Sequence, residues 1–304
     1  MAQNNKKNRK PGRPKKVVEN KNIPKLGIVK DINDNDIFME LLYDNPQIFK
    51  KIIQFFKALS SECLYFIFMP NKAYIWSYDH LKKNKIYITI NCESINKYYL
   101  FGKLEIAILW KNLKLILSKV DKTYNSIILI SKKESIYNSL YIILKNEMEI
   151  DEEHRVELTP YPSNVPSFDG FVYMDPQISF DLPGRYFKKM ISDINTFSNE
   201  IAIILANNDD TLKFKYSDKN DKIRSLNVVK NKKLINLTTR INNNDMFRIV
   251  FKVDYVKPIS SSFLTETINI FLKENNPILF KILIDNGIFD IKILTDIIDN
   301  RKFD

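Results

Sequence analysis

Between Asn45 and Ser60 the apolar residues Ile48, Ile52, Phe55, Phe56 and Leu59 recur at spacings of three and four, with Gln47, Lys50, Lys51, Gln54 and Lys57 between them. That period predicts a helix with one apolar side and one cationic side. Asn45-Pro46 supplies its start, because proline is tolerated in the first turn. On either side the pattern shifts to alternation or to short continuous apolar runs, which predict strands at Asp36–Tyr43, Cys63–Met69, Ala73–Tyr78 and Ile86–Cys92. Pro70-Asn71-Lys72 reads as a hairpin turn. A strand at Lys103–Ile108, an amphipathic helix at Leu109–Val120 and strands at Ser126–Ser131 and Ser139–Leu144 complete this half.

The plan then repeats. At a constant offset of 138 residues, Ile48–Phe66 lies over Tyr186–Ile204 with Phe49/Phe187, Lys50/Lys188, Lys51/Lys189, Ile53/Ile191, Ser60/Ser198 and Glu62/Glu200 identical. Strands follow in the same order at Glu200–Ala206, Thr211–Tyr216, Leu226–Val229 and Phe247–Val253, then a helix at Tyr255–Phe263. Strands at Thr267–Leu272, Pro277–Ile284 and Ile288–Leu294 end the copy, the last two joined by an Asp285-Asn286-Gly287 turn. Shared order on both sides of the identities argues for a true internal repeat. Thr159–Pro176, with four prolines, reads as a linker between two domains.

Charge separates a further segment. Residues 1–30 carry ten Lys or Arg against a single acid, a net of +9 out of +11 for the whole chain, so the rest is nearly neutral at +2. Such a segment cannot bury enough apolar surface to offset its ordering entropy and is expected to be disordered until it meets a polyanion. The expected organisation is therefore a basic tail at 1–35, domains at 36–158 and 177–298 around a linker at 159–176, and a C-terminal tail at 299–304. The longest unbroken apolar run, Cys63–Met69, falls far short of the ~20 residues that a spanning helix needs. With Cys63 and Cys92 as the only cysteines, both in strand-like runs, a reduced intracellular compartment is expected.

The repeat resembles the sliding clamps of the PCNA type, the ring-shaped processivity factors of DNA polymerases, over roughly Asp36–Ile298. The family's I-L-K-K with a lysine seven residues on matches Ile48-Phe49-Lys50-Lys51 and Lys57, and its S-M-D matches Ser77-Tyr78-Asp79. Its second-domain G-x-x-F matches Gly184 and Phe187; of its Arg-x-x-Arg-Asp, Asp193 matches while Lys189 and Ser192 replace the arginines. Near the C-terminus V-P-L-V and G-x-L correspond to Asn276-Pro277-Ile278-Leu279 and Gly287-Ile288-Phe289. The basic tail ahead of Tyr-Asp-Asn-Pro-x-Ile-Phe-Lys (Tyr43–Lys50) is most similar to the PCNA-like proteins of asfarvirus-type large DNA viruses.

The resemblance implies an α+β architecture of two tandem clamp-type domains, with helices lining an inner face and antiparallel sheets outside. It implies a homotrimeric ring around double-stranded DNA that tethers a DNA polymerase and other replication or repair factors through a short hydrophobic peptide. A viral member would act in a virus factory in the host cytoplasm, in the host nucleus, or both. The inward residues would be Lys50, Lys51, Lys57, Lys111, Lys114, Lys119, Lys188, Lys189 and Lys257; lysine–phosphate contacts carry no base information, as a sliding ring requires. The peptide pocket would involve Tyr78, Val165, Phe168, Pro277, Ile293 and Leu294, and edge strands Ser139–Leu144 and Arg224–Val229 would close the ring. The alternative is a monomeric or dimeric DNA-binding accessory protein that depends on its tail.

Within the tail, Arg9, Lys10, Gly12, Arg13, Lys15 and Lys16 are candidate DNA contacts. Lys10–Lys16 resembles an AT-hook, a peptide that lies in the A·T minor groove, except that Pro11 stands where the first arginine belongs. General polyanion attraction, nuclear import and simple solubilisation remain open for the same residues. The six glycines form neither a dinucleotide nor a P-loop motif, and His80 and His154 lack triad-like neighbours in the sequence. No catalytic residue, metal site, cofactor or membrane association is expected. The acidic run around Glu147–His154 reads as a solvated segment leading into the linker.

Overall fold

The computed structural model describes residues 34–148, 151–163, 175–197, 201–207, 211–217, 223–229, 236–241, 247–263 and 265–298. The basic tail, most of the linker and residues 299–304 lie outside these. The first unit runs β1 (Ile37–Tyr43), α1 (Pro46–Ala58), β2 (Cys63–Phe68), β3 (Lys72–Tyr78), β4 (Asn84–Asn91), β5 (Lys97–Leu100), β6 (Leu104–Leu109), α2 (Trp110–Lys119), β7 (Tyr124–Lys132), β8 (Ser139–Asn146) and β9 (Asp151–Glu157). The second runs β10 (Ile178–Pro183), α3 (Gly184–Phe197), β11 (Ile201–Asn207), β12 (Thr211–Ser217), β13 (Ile223–Val229), β14 (Leu237–Thr239), β15 (Phe247–Lys252), α4 (Val253–Ser262), β16 (Thr267–Leu272), β17 (Ile278–Ile284) and β18 (Phe289–Thr295). The fold is mixed α+β, with antiparallel pairing throughout the described ladders.

Pairing order repeats as faithfully as element order. The first unit's sheet β5-β1-β7-β8-β9 has its counterpart in β14-β10-β16-β17-β18, and its β6-β2-β3-β4 in β15-β11-β12-β13. The units join where β4 pairs with β18, from Asn84↔Thr295 to Ile90↔Phe289, which fuses two half-sheets into one of nine strands. By the repeat, β13 corresponds to β4 and β9 to β18, and among the described residues these two counterparts have no strand on their outer side.

Local pattern does not mark four of the strands: β5, β9, β10 and β14. The most informative is β9, because Asp151–Glu157 reads in sequence as a solvated acidic lead into the linker. It instead pairs with β8 from Ser139↔Glu157 to Lys145↔Asp151. An edge strand tolerates charge on its open face, and only Val156 is buried there, at 2 % exposure. Ser139–Leu144, expected at a free edge, belongs to β8 and lies between β7 and β9.

The helices lie on one side of the sheets in the row α2-α1-α4-α3, with α1 touching both α2 and α4 and thus spanning the two units. Phe49, Ile52, Ile53, Phe55 and Phe56 of α1 point into a single core shared by both units. Across the unit boundary the Phe55 and Phe263 rings meet edge to face, 4.7 Å between centroids. Gly184 allows α3 to begin against the end of α4. Its N–H donates to the Glu266 carbonyl at 2.8 Å, and a Cβ there would lie 1.7 Å from the Phe263 carbonyl oxygen. No helix among the described residues is long and apolar enough to cross a membrane.

Candidate nucleic-acid and partner interfaces

An amphipathic helix that buries its apolar stripe on a sheet must present its other side to solvent. The helix row therefore exposes Lys57 on α1, Lys111, Lys114 and Lys119 on α2, Lys188 and Lys189 on α3, and Lys257 on α4. Arg185, exposed in the first turn of α3, joins this set; lysine spacing alone does not single it out.

Among the described residues, three of the nine predicted lysines have partners inside the protein. Lys50 is half-buried and its Nζ donates to the Val120 carbonyl at the end of α2, where the helix dipole favours a cation. Lys51 reaches across the unit boundary to pair with Glu266, and its Nζ lies 3.4 Å from Thr265 Oγ1. Burial acts to raise the Glu266 pKa, but hydrogen bonds from Lys51 and Thr265 outweigh it and hold the carboxyl below its usual range. Lys119 lies 3.4 Å from Glu152, whose carboxylate also accepts from the Tyr124 hydroxyl at 2.6 Å. The Tyr124 hydrogen bond is the main cause that lowers the Glu152 pKa, and it pushes the Tyr124 phenol up to about 12. Lys57, Lys111, Lys114, Lys188, Lys189 and Lys257 have no ion pair among the described residues. With Arg185, they are the cations that this surface leaves free to meet phosphate among the described residues.

The opposite face of the nine-stranded sheet carries an aromatic cluster. Register places Tyr65, Trp76, Tyr87 and Lys292 in one cross-strand row, and Tyr78, Lys85 and Leu294 in the row beside it. Tyr65 stacks on Trp76 with centroids 4.0 Å apart, and the Trp76 indole N–H donates to the Tyr161 hydroxyl at 3.1 Å. Thr159 bridges Ala107, so the start of the linker crosses this face and sets Tyr161 and Pro162 on it. Burial raises the Tyr65 and Tyr161 pKa values, and burial followed by Tyr161 pushes Tyr87 up to about 12; these phenols are neutral donors and apolar surface at physiological pH.

Two cavities open beside this cluster. One of about 280 Å³ is lined by Trp76, Tyr78, Lys82, Lys85, Tyr87 and Pro162. The other, about 210 Å³, is lined by Glu62, Cys63, Tyr65, Tyr78, Asp79 and His80 among others. Tyr78 borders both. Of the predicted pocket residues, Leu294 packs on the same cluster as Tyr78. Ile293, the alternate residue on β18, points into the core at 0 % exposure and cannot line this surface. Pro277, half-buried ahead of β17, is absent from both linings, and Val165 and Phe168 lie outside the described residues. Tyr65, Trp76 and Tyr87 are additions that the family resemblance does not supply, although Tyr74-x-Trp76-x-Tyr78 shows the alternation that puts aromatics on one sheet face.

Burial pushes the Cys63 thiol up, and raises Cys92 to about 12, so neither is a thiolate at neutral pH. No cluster of metal-ligating side chains occurs among the described residues. The tail residues Arg9, Lys10, Gly12, Arg13, Lys15 and Lys16 lie outside them.

No family model matches the chain. Its curated relatives include uncharacterized proteins of African swine fever virus isolates from a Kenyan pig and a Namibian warthog, each 24 % identical over 284 residues and covering 90 % of this chain and 92 % of the relative. The counterpart from a Malawian tick isolate is 25 % identical over the same length. These relatives support a viral origin for the chain.

Proposed function

We propose that this protein is a non-catalytic DNA sliding clamp, a ring of three copies that encircles duplex DNA and acts as processivity factor for a viral DNA polymerase in the infected cell, in virus factories, the nucleus or both. The observation that carries the reading is the repeat of strand pairing. Inside one chain β4 pairs with β18, and the counterparts of these strands, β13 and β9, are left at free edges among the described residues. One copy's β9 can take up the next copy's β13 as β18 takes up β4. A contact of that kind is head-to-tail, and head-to-tail contacts close into rings when the rotation permits. The continuous helix row supports the same reading: its free cations face one way, and sequence-independent phosphate contact is what sliding needs. The outer aromatic surface would hold short peptides of polymerase and other partners, keeping them at high effective concentration near DNA. The basic tail would serve as an auxiliary DNA tether.

The test is topological. With residues 1–30 removed, complexes on nicked circular DNA should persist and should be lost once the circle is cut. Equal loss from circle and line, or abolition of all binding with the tail, would overturn the ring. Sedimentation of the free protein reports the number of copies.

A further inference from the structure

We infer that the outer aromatic surface selects peptides in which aromatic anchors are flanked by acidic side chains. This rests on the reading of that surface as a peptide-docking site, and not on ring closure.

Several charges on this face are already matched. Asp79, 6 % exposed, accepts from the Lys83 backbone N–H at 2.7 Å and from Asn84 Nδ2 at 2.9 Å. Asp296 lies 3.4 Å from Lys83 Nζ, Asp290 3.7 Å from Lys281, and Glu105 2.6 Å from Lys103. Beside Trp76, Tyr78 and Tyr87, three cations have no ion pair among the described residues: Lys82, Lys85 and Lys292. All three border the aromatic cluster. Lys85 stands between Tyr78 and Leu294 in register, Lys292 is opposite Tyr87, and Lys82 Nζ lies 5.5 Å from the Tyr78 ring centroid. Glu62, which lines the smaller cavity together with Lys82, is the one exposed acid lining either cavity.

The floor between these lysines is apolar and aromatic, so an aromatic side chain entering the larger cavity meets Trp76, Tyr78, Tyr87 and Pro162. Residues beside such an anchor would lie within reach of Lys82, Lys85 and Lys292. A basic neighbour would meet like charge there, and an acidic one would complete the three unmatched cations; charge of this kind sets partner choice more than raw affinity.

The experiment uses the full chain and two fluorescent synthetic peptides, each with two aromatic residues followed by a run of either glutamates or lysines, read by anisotropy at physiological salt. The glutamate peptide is expected to bind about tenfold tighter, the scale of a few exposed ion pairs. Lys82→Glu, Lys85→Glu and Lys292→Glu together should reverse the preference, whereas Tyr78→Ala should weaken both peptides and leave the preference in place. Equal affinities, a preference for lysine, or a preference unchanged by the triple reversal would overturn the inference while leaving the docking site standing. Failure of both peptides to bind would overturn the docking site as well, and leave ring closure to its own test.

Discussion

Thr295 Oγ1 donates to Asn84 Oδ1 at 2.8 Å across the ladder that joins the two units, and both residues are buried, at 0 % and 2 % exposure. Asn84 in turn donates from its side-chain amide to Asp79 at 2.9 Å. The chain of hydrogen bonds fixes the β4–β18 register at its end, because a slip would strand buried polar atoms.

Thr295→Val keeps the shape and removes the donor, leaving Asn84 Oδ1 buried and unsatisfied. The expected loss is about 1–3 kcal/mol, read as a lower denaturant midpoint. Faster hydrogen exchange of β4 and β18 amides should accompany it.

Gly184→Ala drives a methyl group into the Phe263 carbonyl, a backbone atom that cannot swing aside. It should cost about 3 kcal/mol or more, or prevent folding. Gly287, at φ +88° with open space around it, provides the contrast: Gly287→Ala should cost only about 1 kcal/mol through backbone strain. Thermal unfolding of the two variants separates steric exclusion from conformational preference.

Lys51 and Lys189 are equivalent in the repeat but differ in surroundings, since Lys51 pairs with Glu266 and Lys189 is exposed. Lys51→Ala is expected to lower stability by about 1 kcal/mol, allowing for the half-exposed lysine, with little effect on the salt dependence of DNA association. Lys188→Ala with Lys189→Ala should leave stability unchanged and flatten the salt slope by about 0.9 for each phosphate no longer neutralised. Fluorescence anisotropy across a salt series measures both slopes.

The same ion pair sets a pH dependence. Because the folded-state pKa of Glu266 is lowered, its stabilisation is complete above the ordinary glutamate pKa and is lost as pH falls through the lower folded value. Wild type should therefore lose stability on acidification through that window, and Glu266→Gln should start less stable at neutral pH with a shallower acid limb. Parallel curves would show that Glu266 contributes nothing to the slope.

Local pattern by itself determined much of this molecule. The three- and four-residue spacing of Ile48, Ile52, Phe55 and Phe56 defines the buried side of α1, and the 138-residue offset exposes the repeat, because side-chain periodicity follows directly from backbone geometry. Alternation also says that Ile293 and Leu294 face opposite ways. The polar Asp290 and Lys292 mark the outer side, but that Leu294 lies in one row with Lys85 and Tyr78 was decided only by pairing with β4, more than two hundred residues earlier in the chain. The same holds for edges and charges. Nothing local distinguishes an interior strand such as β8 from one at an edge, and Asp151–Glu157 has the look of a solvated acidic run until β8 supplies its hydrogen-bonding partner. Lys50 and Lys51 read like Lys57 in sequence, yet Val120 and Glu266, brought in from other elements, engage the first two and leave the third exposed. Strand edges and free cations are properties of what lies next to a residue in space, and long-range contacts alone set those neighbours.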